Sequence, residues 1–270
     1  MLSWLKRILF GLLAVVLLVL VAVVGIILWD TLFPAQQVTD FANVSFSGPD
    51  GSTLYAYLAA PAQAGEQPGP AVLLVHEFYG LNDSIRQKAD WLAAQGYTVL
   101  AADAYRGKTT RLIPRAIFLV LTTPHDQIQA DLRAGFNYLA DLPQVDPHKI
   151  GAVGFCFGGT QVMYQATINP DVRATVIYYG TGPITDPQNL GVMGENGPVL
   201  GIYGQQDVSI PVSEVQAFDQ AMQARGVEHT VTIYPGVGHA FVTVEALQQP
   251  GPAEEAWNQM LAFLMDALMQ

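Results

Sequence analysis

The chain has 270 residues, of which 23 are acidic and 12 basic, for a net charge of −11, and it contains one cysteine. The acidic balance argues against nucleic acid as a partner, and a lone cysteine excludes an internal disulfide. The sequence shows no metal-ligand cluster, glycine-rich phosphate loop or internal repeat, so neither a metal nor a cofactor is expected.

The first element in chain order is apolar. Residues 8–28 carry no charge and are nearly all Leu, Val, Ile, Ala and Gly, which is long enough for one helical crossing of a bilayer. Trp4 and Trp29 bracket the run, Lys6 and Arg7 precede it, and Asp30 is the first acid after it. This asymmetry predicts a cytoplasmic N-terminus over 1–7, a transmembrane anchor over 8–29, a juxtamembrane linker over 30–40 and an extracytoplasmic domain over 41–270. The lipid bilayer is thus an expected partner. The alternative is a cleaved signal peptide and a secreted domain. All 23 acids and 10 of the 12 basic residues lie at or beyond Asp30, a balance of −13. No pattern speaks to oligomeric state.

Beyond residue 40, short apolar or alternating runs predict strands at 44–46, 54–59, 71–75, 98–102, 150–153, 175–179, 199–203 and 231–234. Helical patterns lie between them, including 84–95, 127–141, 160–168, 212–225 and 253–269. This alternation predicts one α/β domain, a mostly parallel sheet flanked by helices. Residues 111–122 are too oily for an ordinary surface helix and too short to span a bilayer. They read either as a packed core helix or as a lid that lines an apolar pocket or touches the nearby membrane.

The chemistry concentrates on Gly154-Phe155-Cys156-Phe157-Gly158-Gly159. A lone cysteine is more often a small buried apolar residue. Here it stands where a buried strand hands over to a helix, with glycines two before and two after. That is the pattern of a nucleophile elbow, a tight turn that presents one reactive side chain. A thiol nucleophile needs a base. His239 follows the strand at 231–234 in a glycine-bearing loop, where α/β sheets place their sites. His148 and His229 read as surface positions, His125 as a helix start, and His76 as a loop-shaping residue. The acid that orients the base is expected between nucleophile and histidine in chain order. Asp207, after the strand at 199–203, fits best, with Asp186 in an apparent surface loop as its rival.

With those residues in place, the chain resembles the dienelactone hydrolase family, the cysteine branch of the α/β-hydrolase fold, over residues 40–268. The resemblance rests on Val75-His76-Glu77-Phe78-Tyr79-Gly80-Leu81-Asn82, Ala101-Ala102-Asp103-Ala104-Tyr105-Arg106-Gly107, the elbow, and Gly238-His239-Ala240-Phe241. It implies a Cys156–His239–Asp207 triad and a glutamate, Glu77, that contacts the resting thiol. It also implies that Arg106 binds a substrate carboxylate. In such folds the backbone amides of Phe78 and Phe157 would hold the oxyanion. The family's second arginine falls on Thr243, which leaves open a neutral or bulkier ester, or another lactone. The expected function is hydrolysis of a small ester or lactone through an acyl-enzyme. The alternative is a membrane-tethered binding module that kept the fold without catalysis.

Overall fold

The computed structural model describes residues 2–62 and 67–269. The apolar N-terminal run forms one helix, α1 (Leu2–Leu32). Its segment Lys6–Leu32 is long and apolar enough to cross a membrane, and the most apolar stretch of it is not buried within the protein, a pattern that signal sequences share. The helix runs past Trp29 into the expected linker. Asp30 is buried there, and its carboxylate accepts a hydrogen bond from Thr110 Oγ1 at 2.6 Å. That bond satisfies a charge that would otherwise be costly to bury and ties the helix end to the domain.

The domain is built on eight strands: β1 (Val44–Ser47), β2 (Thr53–Ala59), β3 (Gly69–Val75), β4 (Thr98–Ala102), β5 (Val145–Phe155), β6 (Ala174–Tyr178), β7 (Val199–Gly204) and β8 (His229–Tyr234). They form one sheet in the order β1-β2-β4-β3-β5-β6-β7-β8. β1 and β2 pair antiparallel, as do β2 and β4, and the remaining ladders are parallel. Each strand overlaps its predicted segment. β5 begins five residues before its predicted segment and carries an irregularity at its start, because Gly69 pairs with Val145 and Ala71 with Ile150. The central strands are buried throughout, which explains why they read as continuous apolar runs.

Among the described residues seven α-helices follow α1: α2 (Asp83–Ala94), α3 (Ile113–Thr122), α4 (His125–Ala140), α5 (Phe157–Ile168), α6 (Pro187–Asn196), α7 (Val212–Arg225) and α8 (Pro252–Leu268). They cover both faces of the sheet. Gly151 in β5 lies under Leu264 and Leu268 of α8, while Gly135 of α4 lies against Leu73 and Leu100. Leu73 pairs with Ala152, one residue beyond Gly151, so the two contacts fall on opposite faces. Helix α6 was not expected. Pro187, Gly191 and Gly194 obscure its periodicity, and Asp186 caps it by accepting from the amides of Gln188 and Asn189. The rival acid is therefore a helix cap.

Helix α3 is not a packed core helix. It buries Arg115, Ala116 and Leu119 while exposing Ile113, Ile117, Phe118 and Leu121.

Candidate active site

The carboxyl ends of β3, β5, β7 and β8 converge, and each delivers part of the site. Cys156 lies between β5 and α5 with φ 54° and ψ −114°, a conformation that L-residues rarely adopt. Its amide donates to Tyr178 O at 2.9 Å, which pins the elbow to β6. The flanking glycines are steric requirements. A Cβ on Gly154 would stand 2.1 Å from Gly158 O, and one on Gly158 would stand 2.2 Å from Val75 O. The sheet and helix can meet this closely only without those side chains.

Three of the expected residues come together. His239 Nε2 lies 3.1 Å from Cys156 Sγ, and His239 Nδ1 lies 2.6 Å from Asp207 Oδ2. An ionised carboxylate can only accept, so Nδ1 carries the hydrogen and Nε2 faces the thiol as an acceptor. Asp207 is buried, and its other oxygen accepts from the amides of Ser209 and Ile210 at 2.8 and 3.1 Å. The buried ring of Tyr179 packs on His239 with centroids 5.2 Å apart. The imidazole is thus held by a charge-assisted hydrogen bond on one side and an aromatic ring on another.

Burial pushes the Cys156 thiol up to about 11. The amides of Phe157 and Phe78 hydrogen-bond to the sulfur and oppose this, while the Glu77 and Asp207 carboxylates add to it. At neutral pH the sulfur is therefore held as the thiol. The two amides aimed at the sulfur belong to the residues expected to hold an oxyanion.

Glu77 departs from expectation. Its carboxylate is hydrogen-bonded to Lys88 Nζ at 3.3 Å, not to the thiol. Lys88 is fully buried and also sits over the Phe155 ring at 4.2 Å. Sequence reasoning passed over this lysine. It interrupts the buried stripe Ile85, Ala89, Leu92 of α2, and a charge at a core-facing helix position was the available signal.

The structure does not bring Arg106 to the site. Its guanidinium grips Asp131 with two hydrogen bonds of 2.6 and 2.8 Å and reaches Asp50 at 2.8 Å. Thr243 shapes a turn, its hydroxyl accepting from the Ala246 amide. His76, as expected, is structural. It is wholly buried, and burial holds it down at about 4. Its Nδ1 donates to Glu77 O and its Nε2 accepts from the Ala104 amide.

Cys156 and His239 open onto a cavity of about 480 Å³, a volume ordinary for small-molecule sites. Phe78, Phe157, Ile128 and the α3 residues Ile117, Val120 and Leu121 make its apolar wall. His125, Thr181 and Ser209 add polar groups, and no Lys or Arg among the described residues lines it.

A sheet of this order, covered by helices on both faces, defines the α/β-hydrolase fold. Residues 54–268 match the model of the "Dienelactone hydrolase family", and the chain belongs to that family. It is similar to the "Putative carboxymethylenebutenolidase" of Escherichia coli K12, at 34% identity over 223 residues, covering 78% of this chain and 82% of the relative. It is also similar to "Protein usf" of Aquifex pyrophilus, at 31% identity over 230 residues, covering 81% and 96%. Among solved structures, a "Putative Dienelactone Hydrolase" from Klebsiella pneumoniae superposes with a TM-score of 0.70 at 30% identity, covering 82% of this chain and 97% of its own.

Proposed function

We propose that this protein hydrolyses ester or lactone bonds of a small molecule through an acyl-enzyme on Cys156. The reading is carried by one geometry: Cys156 Sγ, His239 and Asp207 linked at 3.1 and 2.6 Å beside an open cavity. His239 Nε2 takes the thiol proton as the sulfur attacks the ester carbonyl. The amides of Phe78 and Phe157 stabilise the oxyanion, and Asp207 stabilises the imidazolium. His239 then protonates the departing alcohol oxygen, leaving a thioester. Water, deprotonated by His239, attacks that thioester and releases a carboxylic acid and the free thiol.

Family membership supports the hydrolytic class, since relatives carry names for lactone-cleaving enzymes. With Arg106 bound to Asp131 and Thr243 in a turn, no Lys or Arg among the described residues lines the cavity to meet a substrate carboxylate. A neutral ester or lactone with an apolar portion fits the cavity better than an anionic one. We further read α1 as an uncleaved anchor, with residues 1–7 in the cytoplasm and the domain outside, from the Lys6/Arg7 asymmetry. The test is a Cys156→Ala chain on an ester and lactone panel. The variant should stay folded and lose turnover, and unchanged turnover would refute the mechanism. Resistance to alkaline carbonate extraction tests the anchor separately.

A further inference from the structure

Helix α3 is built inside out. Ile113, Ile117 and Leu121, spaced four apart on one stripe, are exposed by 56, 48 and 78%, while Arg115 is buried. In water this arrangement is unfavourable. The stripe is also continuous with the active site, because Ile117 and Leu121 line the cavity that holds Cys156.

What lies beside α3 indicates what covers it. It packs against α1. On α1 the partly or fully covered residues near this end are Val23, Ile27 and Asp30, spaced as one helix face. That face extends ~10 Å back from Asp30 into the apolar run. The bonds from Thr110 to Asp30 and from Arg111 to Gln36 hold the approach to α3 against the exit of α1. A bilayer that takes up α1 therefore has α3 at its surface, beside the helix end that carries the exposed Trp29. Charge agrees. Residues 104–125 hold four basic residues and no acid, in a chain whose part beyond residue 29 is strongly acidic. Lys108 and Arg111 are exposed there.

We propose that α3 lies in the interface of the bilayer that α1 enters, and that the site takes esters whose apolar chain resides in that bilayer. The apolar chain would pass along Ile117, Val120 and Leu121 while its carbonyl meets Cys156. This rests on the anchored esterase reading above and adds to it a lipid docking surface and an amphiphilic substrate class. The depth fits an interfacial helix, which buries its apolar face in the headgroup and acyl boundary.

The test uses the full chain reconstituted in vesicles of mixed phosphatidylcholine and phosphatidylglycerol. A double variant, Ile113→Glu with Phe118→Glu, alters exposed α3 residues that do not line the cavity. Turnover of p-nitrophenyl acetate from water should stay within about twofold, while turnover of vesicle-borne p-nitrophenyl palmitate should fall by about tenfold or more. Equal turnover of the palmitate ester by parent and variant would overturn the proposal. Separately, in an Ile113→Trp chain, brominated lipid should quench the added emission. Unquenched emission would overturn the docking surface whatever the enzyme's activity, and it decides the matter if the double variant loses activity on both esters. A parent inert on both esters would refute the esterase reading and the substrate class with it, whereas quenching in that chain would uphold the docking surface alone.

Discussion

Replacing Asp207 by asparagine should abolish most activity by reversing one hydrogen bond. Asp207 Oδ1 accepts from the amides of Ser209 and Ile210. An asparagine in its place keeps those two bonds only if its carbonyl oxygen faces them. Its NH₂ group then faces His239 Nδ1, now across the 2.6 Å contact. An NH₂ group can only donate, so Nδ1 must accept and the ring hydrogen moves to Nε2. There it points at Cys156 Sγ, and the imidazole can no longer take the thiol proton. Restoring the working tautomer would set NH₂ against N–H or break both amide bonds, each worth ~1 kcal/mol or more. With the lost stabilisation of the imidazolium, the loss in kcat should be about 10³- to 10⁴-fold. The assay is initial rates on an activated aryl ester for parent and Asp207→Asn, with thermal melts to show that the fold persists. As pH climbs toward the thiol's own value of about 11, the thiolate forms without help, so the deficit should narrow. A loss under about tenfold at neutral pH, with the fold intact, would refute this account of Asp207.

Other outcomes follow from the neighbouring charges. The Glu77 carboxylate raises the Cys156 thiol, so Glu77→Gln should lower it and speed iodoacetamide alkylation at pH 8. Lys88→Met leaves that carboxylate uncompensated and should slow alkylation; equal rates in both variants would sever the link between the pair and the thiol. Because Lys88 is fully buried, Glu77→Gln should also cost about 3 kcal/mol in urea unfolding, the cost of leaving a buried charge without its partner. Arg106→Ala should leave KM for a neutral ester unchanged but lower the melting temperature, since buried Asp131 loses its partner. A rise in KM with unaltered stability would return Arg106 to the substrate.

Much of the fold was legible because β4, β6, β7 and residues 150–155 of β5 are buried on both faces and so must be written as unbroken apolar runs. Cys156, Asp207 and His239 were legible for a related reason: each follows such a run, where strand ends meet the site. Lys88 was hidden because lysine ordinarily marks a solvated face, and only the packing of α2 shows it turned inward. Arg106 was misplaced because Asp50 and Asp131, the acids that hold it, lie 56 and 25 residues away in the chain. Helix α6 escaped because its glycines and proline erase the helical period. The ambiguity of residues 111–122 was intrinsic to composition, since a core helix and an interfacial helix use the same side chains. Only the exposure of Ile113, Ile117 and Leu121 separates them.

The acyl-enzyme itself is the most direct test of the central claim. The purified protein mixed with p-nitrophenyl acetate and quenched within the first turnovers should show, by intact mass, one added acetyl group per chain. Peptide mapping should place it on Cys156, and the Cys156→Ala chain should carry none. Steady ester turnover with no acetyl on Cys156, or undiminished turnover by Cys156→Ala, would contradict the account.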